Sequence, residues 1–244
     1  MKRFLTILLA AVALFTVSAC SKEKSAEDIL NEMEKEHGKL KVVELEGTDK
    51  ETDKSFVMRF DYEHNKYLLL SKDDPDTAQY LEDDMLYVAD KGKVADSEGY
   101  SKISKELMKN NSDCLRNLIV CFKRSDNDFY KDFHVKEKGD TYVLTYQGGE
   151  EKQKKLLQMM IDRSLKALEK ASEVPAEKKV SKVSSLNLVA TVDKATHRLI
   201  KVNYHPNYEV EGSNGKKKTN GELLYNYVAY NKNVKKIEKP EIFK

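Results

Sequence analysis

Tryptophan is absent, and histidine, proline and cysteine are scarce, with five, four and three copies among 244 residues. With so few prolines and only ten glycines, no stretch has a collagen-like or low-complexity composition, and no linker rich in either residue divides the chain. Three cysteines cannot staple a chain of this length as a disulfide scaffold. The histidines, His37, His64, His134, His197 and His205, are scattered without the spacing of metal ligands. Gly-x-Ser-x-Gly, His-Glu-x-x-His and the phosphate-binding glycine loop are all missing. Their absence removes the reaction classes those motifs carry. The acidic runs Asp73-Asp74-Pro75-Asp76 and Asp126-Asn127-Asp128 lack the glycine and distal glutamate of an EF-hand loop, and read as solvated turns. The expectation is a non-enzymatic chain with no metal and no cofactor.

Charge of one sign is also lacking. The net charge is +2, and Lys2 and Arg3 alone account for it, so the chain beyond them is balanced. A balanced chain lacks the clustered positive field that nucleic acid requires. The densest basic run, Gly215-Lys216-Lys217-Lys218-Thr219, lies between Ser213-Asn214 and Asn220-Gly221 and reads as a solvated turn.

No apolar run is long enough for a comfortable membrane span, which needs ~20 residues. The longest, Phe4 to Phe15, follows Lys2 and Arg3 and precedes small residues ending in Val17-Ser18-Ala19-Cys20. This is the layout of a secretory leader, and the last four residues resemble the bacterial lipobox. In that motif the cysteine becomes the first residue of the mature chain and carries diacylglycerol on its sulfur. Residues 1–19 therefore read as a lipoprotein signal peptide and 20–25 as the lipidated Cys20 with a short tether. Residues 26–244 read as one domain. Two or three acyl chains, palmitate among them, would hold it stably, since one chain binds only marginally. The expected location is the extracytoplasmic face of the cell membrane, or the outer membrane in a Gram-negative envelope.

The remaining pattern is mostly strands. Ser25 can cap a helix, with Asp28 three residues on, an apolar stripe of Ile29, Leu30 and Met33, and Gly38 as its stop. Leu40 to Leu45 read as a strand. Phe56, Met58, Phe60 and Tyr62 share one face at period two. The turn His64-Asn65 leads to Tyr67–Leu70, apolar on both faces. A second hairpin turns at Asp83-Asp84, between Leu81 and Met85. Two helices follow, capped by Ser101 (Ile103, Leu107, Met108) and by Ser112 (Leu115, Leu118, Ile119, Phe122). A hairpin turning at Lys138-Gly139-Asp140 precedes the longest helix, from about Glu150 to Ala171, lined by Leu157, Ile161, Leu165 and Leu168. Three strands end the chain. Leu186, Leu188, Ala190 and Val192 alternate on the first, and Ile200, Val202 and Tyr204 on the second. On the third, Leu223, Tyr225, Tyr227 and Ala229 face one way, with Leu224, Val228 and Tyr230 opposite. Short turns forbid parallel crossovers, and an apolar sheet face must be covered. The expected fold is α+β: a curved antiparallel sheet with helical insertions packed in its concavity.

Cys114 and Cys121, seven residues apart, would lie about 10 Å apart on a continuous helix. A disulfide needs its Cα atoms within about 7 Å. They read as buried free thiols unless that helix breaks between them.

This order of elements resembles the LolA/LppX-type half-barrel lipoproteins. The resemblance rests on the lipobox, the first helix at Ala26-Glu27-Asp28-Ile29-Leu30, and the hairpins Tyr80-Leu81-Glu82-Asp83-Asp84-Met85-Leu86-Tyr87 and Ala190–Ile200. The ending Tyr225-Asn226-Tyr227-Val228-Ala229-Tyr230-Asn231 adds to it. Uncharacterised lipoproteins of low-GC Gram-positive bacteria are the most similar in pattern. The resemblance implies an open half-barrel that holds acyl chains of lipids or lipoproteins between sheet and helices. No residue matches a functional position of the characterised members, so the ligand does not carry over.

The residues set to line such a cavity are Phe56, Met58, Phe60, Leu69, Tyr80, Leu86, Leu188, Ile200, Tyr225 and Tyr227. Periodicity alone fits a dry core equally well, because cavity and core use the same residue types. The resemblance tips the reading to the cavity. The expected function is binding of an apolar ligand (lipid, acyl chain or lipoprotein) for transport or sensing. The membrane is reached through the anchor, with a lipid or acylated protein as partner. The alternative is a non-enzymatic scaffold lipoprotein with a filled core that binds another envelope protein.

Overall fold

The computed structural model describes residues 24–82, 85–94, 117–124, 126–172, 178–212 and 215–244, with the backbone alone for 164, 167–172 and 178. Helix α1 (Ala26–His37) opens the domain. Ser25 is its N-cap, and Ser25 Oγ accepts from the Asp28 amide at 3.1 Å, a contact worth ~1 kcal/mol. Ala26, Ile29, Leu30 and Met33 form its buried face. Glu27 and Asp28 in the first turn and Lys35 and His37 in the last complement the helix dipole.

Twelve strands follow: β1 (Val42–Asp49), β2 (Lys54–Asp61), β3 (Lys66–Ser71), β4 (Ala78–Glu82), β5 (Met85–Asp90), β6 (Lys93–Val94), β7 (Phe133–Lys138), β8 (Thr141–Tyr146), β9 (Lys178–Asp193), β10 (Leu199–Gly212), β11 (Gly215–Asn220) and β12 (Leu223–Tyr230). They form one antiparallel sheet in the order β6-β5-β4-β3-β2-β1-β12-β10-β9-β8-β7, with β11 beside β12 along the far half of β10. The last strand docks on the first, so β1 and β12 lie side by side at the middle of the sheet. β6 and β7 stand at opposite edges, and the sheet is an open half-barrel.

Each face of the sheet has its own cover. On the concave face, α1, α2 (Leu118–Lys123) and the first part of α3 (Glu150–Ser172) share one core with the inward residues of β1–β3, β5, β7–β10 and β12. On the other face, Leu68, Ala78, Tyr80 and Ala89 lie beneath the C-terminal segment, through Ile237 and Phe243. β3 is buried on both sides, by Tyr67 inward and Leu68 outward. Gly139, at φ +55°, makes the β7–β8 turn in the left-handed conformation that glycine adopts without strain.

Several expectations are corrected. α2 is capped not by Ser112 but by Asn117, whose Oδ1 accepts from the amides of Ile119 and Val120 at 3.1 and 3.2 Å. The Ser101 helix and the Asp83-Asp84 turn lie outside the described residues. The run Lys216–Lys218 is not a turn but part of β11, paired with Glu209–Glu211 of β10. Cys121 is disulfide-bonded, not a free thiol. Its helix begins at Leu118 after an extended Asn117, so the continuous helix assumed between the two cysteines does not exist. The partner sulfur lies outside the described residues. Mass spectrometry after iodoacetamide treatment is expected to find Cys121 unmodified until a reductant is added. Reduction is expected to remove about 2–4 kcal/mol of stability, read as a lower melting temperature.

Candidate functional site on the concave face

The concave wall begins at a glycine. Gly47 on β1 pairs with Phe56 on one side and Tyr225 on the other. A Cβ at Gly47 would overlap the Phe56 ring, so that ring lies across the glycine. It meets Tyr225 edge-on, with centroids 6.3 Å apart. Only a residue without a side chain permits this close approach. From there aromatic contacts run outward along β2 and β3: Phe60 packs on Tyr67 at 5.1 Å and on Tyr62 at 6.3 Å. Across β12, Tyr227 stacks on Tyr230 with an interplanar angle of 8°. Beyond β10, Tyr204 meets Phe122 of α2 at 6.1 Å, and Phe122 meets Phe129 at 5.5 Å.

Cover is uneven along this wall. Toward β8–β10, Ile119, Phe122, Phe129, Leu144 and Leu188 have no exposed surface. Toward β1–β4 and β12, Phe56, Leu69, Leu81, Leu223 and Tyr225 are only partly buried.

Of the residues expected to line the site, Phe56, Met58, Phe60, Leu69, Leu86, Leu188, Tyr225 and Tyr227 lie on the helix-covered face. Tyr80 does not. It pairs with Tyr87 and packs beneath the C-terminal segment, while Leu81 and Leu86 take the inward positions of that hairpin. Ile200 is 38% exposed. A bulge between Leu199 and Lys201 leaves Ile200 without a partner on β9, and Leu199 takes the inward place. Another irregularity sets Val43 opposite Tyr230 and Leu45 opposite Tyr227. It brings Tyr230 inward and leaves Val228 exposed, against the simple alternation. Gly47, Tyr67, Tyr204 and Tyr208 were not singled out. The available signals were a glycine inside a strand and thirteen tyrosines in the chain.

Electrostatically the wall is neutral and weakly polar. Asn117 is the only buried polar or charged residue among the described ones. Its amide donates to Met33 Sδ at 3.3 Å and ties α2 to α1. Burial pushes the phenols of Tyr67 and Tyr204 well up. Burial, with the Asp49 carboxylate second, pushes Tyr225 up to about 12. These hydroxyls stay protonated and act as donors or acceptors without charge.

Among the described residues, no catalytic constellation forms around them. His64 Nδ1 lies 2.8 Å from Asp61 at an exposed turn, His205 Nε2 lies 3.0 Å from Asn220, and His197 Nε2 lies 2.7 Å from Glu32. Among the described residues no three His, Cys, Asp or Glu converge as a metal site, and no helix is long and apolar enough to cross a membrane. In the acidic runs, Asp73 accepts from the Ser55 amide and Asp74 from Thr77, while Asp128 pairs with Lys131. On the outer side, an open groove of about 350 Å³ runs between the β2–β3 turn and the C-terminal segment, with Val42, Lys66 and Ile237 among its walls.

The lipoprotein LppX of Mycobacterium tuberculosis is similar in structure, with a TM-score of 0.42 and 7% identity over 86% of this chain and 97% of that one. No curated protein sequence matches the chain. The family whose sequence profile matches residues 69–244 is described as a family of unknown function, DUF6612.

Proposed function

The chain belongs to that family, and we propose that it is an extracytoplasmic lipoprotein, anchored through Cys20, that holds an apolar ligand on its concave face. The ligand would be a lipid, an acyl chain or an acylated protein, held for transport or sensing. The observation that carries this reading is the half-covered aromatic wall around Gly47, where Phe56, Leu69 and Tyr225 are inward but only partly buried. Each acyl methylene placed against it is worth about 0.8 kcal/mol, so a long chain binds well without charged contacts. The disulfide at Cys121 fits an oxidising compartment outside the cytoplasm. No enzymatic step is assigned.

The scaffold reading draws on the other half of the wall, where Ile119, Phe122 and Phe129 have no exposed surface. The two readings part in one experiment. Mature residues 21–244, made without the anchor, are analysed by native mass spectrometry and organic extraction. A stoichiometric extractable lipid is the expected result. A clean protein mass, unchanged after incubation with fatty acids, phospholipids and neutral acylglycerols, would favour the scaffold and a partner found by cross-linking in membranes.

A further inference from the structure

One end of the half-barrel receives the tether. Lys24, the first described residue, donates from Nζ to Glu32 Oε2 of α1 at 2.6 Å. His197 Nε2, in the β9–β10 turn, lies 2.7 Å from the same carboxylate and 3.1 Å from the lysine nitrogen. The hydrogen bond from Lys24 holds the Glu32 carboxyl below the usual carboxylate range, and His197 adds to it. The turn that carries His197 is itself fixed. The His197 amide donates to the Asp193 carbonyl and the Lys194 amide to the Asp140 carbonyl, both at 2.9 Å, which joins the β9–β10 and β7–β8 turns. Lys24 is thus pinned between a helix and a braced turn.

Strand pairing sets what else stands at that end. β10 starts there, and the antiparallel register brings the end of β12, the start of β1 and the β2–β3 turn to the same rim. Around it Lys41, Lys138, Lys232, Lys235 and Lys236 are exposed. Glu63 pairs with Lys41 and Glu238 with Lys236, whereas Lys138, Lys232 and Lys235 make no ion pair among the described residues. β10 runs 14 residues to the opposite end, about 40 Å away at 3.2–3.4 Å per residue. That end carries the exposed Lys216, Lys217 and Lys218 of β11 and Lys179 and Lys182 of β9, beside Glu209 and Glu211 of β10. Cys20 stands four residues before Lys24, and four residues reach at most about 14 Å. A tether that short, held at Lys24, keeps the rim close to whatever membrane holds Cys20. It forbids an end-on approach by the opposite end.

Resting on the reading of Cys20 as the lipidated anchor, we propose that the half-barrel stands on its own membrane on this rim, latched there by Lys24, Glu32 and His197. The partner is an anionic lipid surface, whose headgroup phosphates complement the unpaired Lys138, Lys232 and Lys235. The lysine-rich end of β9–β11 is directed away from the bilayer.

The test is lysine footprinting. The full lipoprotein, purified from membranes and placed on the outside of phosphatidylglycerol/phosphatidylcholine vesicles, is acetylated with a membrane-impermeant succinimidyl ester. Rates at each lysine are read by mass spectrometry against unanchored residues 21–244 mixed with the same vesicles. Lys138, Lys232 and Lys235 are expected to react at least threefold more slowly in the anchored protein. Lys179, Lys182 and Lys216 to Lys218 are expected to react equally in both. The latch is read separately. In the unanchored protein, Glu32→Ala, which keeps a good helix former in α1, is expected to speed acetylation of Lys24 about threefold or more. On vesicles, Glu32→Ala and Lys24→Gln are each expected to shrink the difference between rim and far-end lysines. Protection of the far-end lysines, or equal rates at both ends, would overturn the upright stance. Protection unaltered by both substitutions would overturn the latch. The mass of the lipoprotein from membranes tests the premise on its own: a Cys20 without lipid removes the anchor reading, whereas a lipidated Cys20 with the wrong footprint removes only this proposal.

Discussion

Met58→Asp is expected to abolish cooperative unfolding, whereas Tyr225→Asp is expected to leave a folded protein that no longer retains an apolar ligand. Met58 is 1% exposed, and its cross-strand neighbours on β1 and β3 are Leu45 and Leu69. An ionised carboxylate there has no cation and no donor nearby. Penalties above about 4 kcal/mol belong to this kind of change, and a domain has only about 5–15 kcal/mol to lose. Tyr225 is partly buried at the rim of the same wall, so an aspartate there can turn to water and leaves the packing under α1 and α2 alone. Thermal melts followed by circular dichroism, with lipid extraction on the folded fraction, separate the two outcomes. The comparison also bears on what fills the concavity. A Met58→Asp protein that melted near wild type would place Met58 against solvated space, whereas its loss makes Met58 part of the packed floor on which a ligand rests.

The sheet was legible in the sequence because its strands alternate strictly where one face is buried. Tyr142, Leu144 and Tyr146 on β8 and Leu186 to Val192 on β9 show this directly. α1 was legible for another local reason, the cap at Ser25 and the stripe Ile29, Leu30 and Met33. What failed depended on partners. Tyr80 alternates correctly with Leu81, but only the distant C-terminal segment decides which of the two faces lies under the helices. Ile200 and Tyr230 are placed by strand irregularities that arise in pairing with β9 and β1, and no window along β10 or β12 contains that information. The disulfide at Cys121 goes against the free-thiol expectation, which read continuous helix through a boundary set by Asn117, three residues before Leu118–Lys123 has carried the chain to Cys121. The lining of the site suffered most. The hydrophobic period that finds a wall says nothing about what its aromatic rings carry at their tips.

Gly47→Ala is expected to change sign with its neighbour. In the otherwise unaltered protein, the new methyl group would overlap the Phe56 ring, which must swing off β1 and away from Tyr225. Overpacking of this kind costs about 1–3 kcal/mol. Alanine is otherwise the better strand residue, by roughly 0.5–1 kcal/mol, because glycine loses more backbone freedom on folding. With Phe56→Ala already present, nothing occupies the space over position 47, and Gly47→Ala should be neutral or slightly stabilising. The coupling measured in a double-mutant cycle of urea denaturation should therefore fall at about 1.5–3 kcal/mol, within the range for residues in direct contact. Additivity of the two substitutions would show that the ring does not rest on the glycine. The cycle reaches function through Tyr225. Displacing Phe56 removes the aromatic edge that holds the Tyr225 ring, so Gly47→Ala should weaken retention of an apolar ligand even where the protein remains fully folded. Phe56→Ala should do the same, and the double variant should bind no worse than Phe56→Ala alone, because both changes act on one wall through one ring.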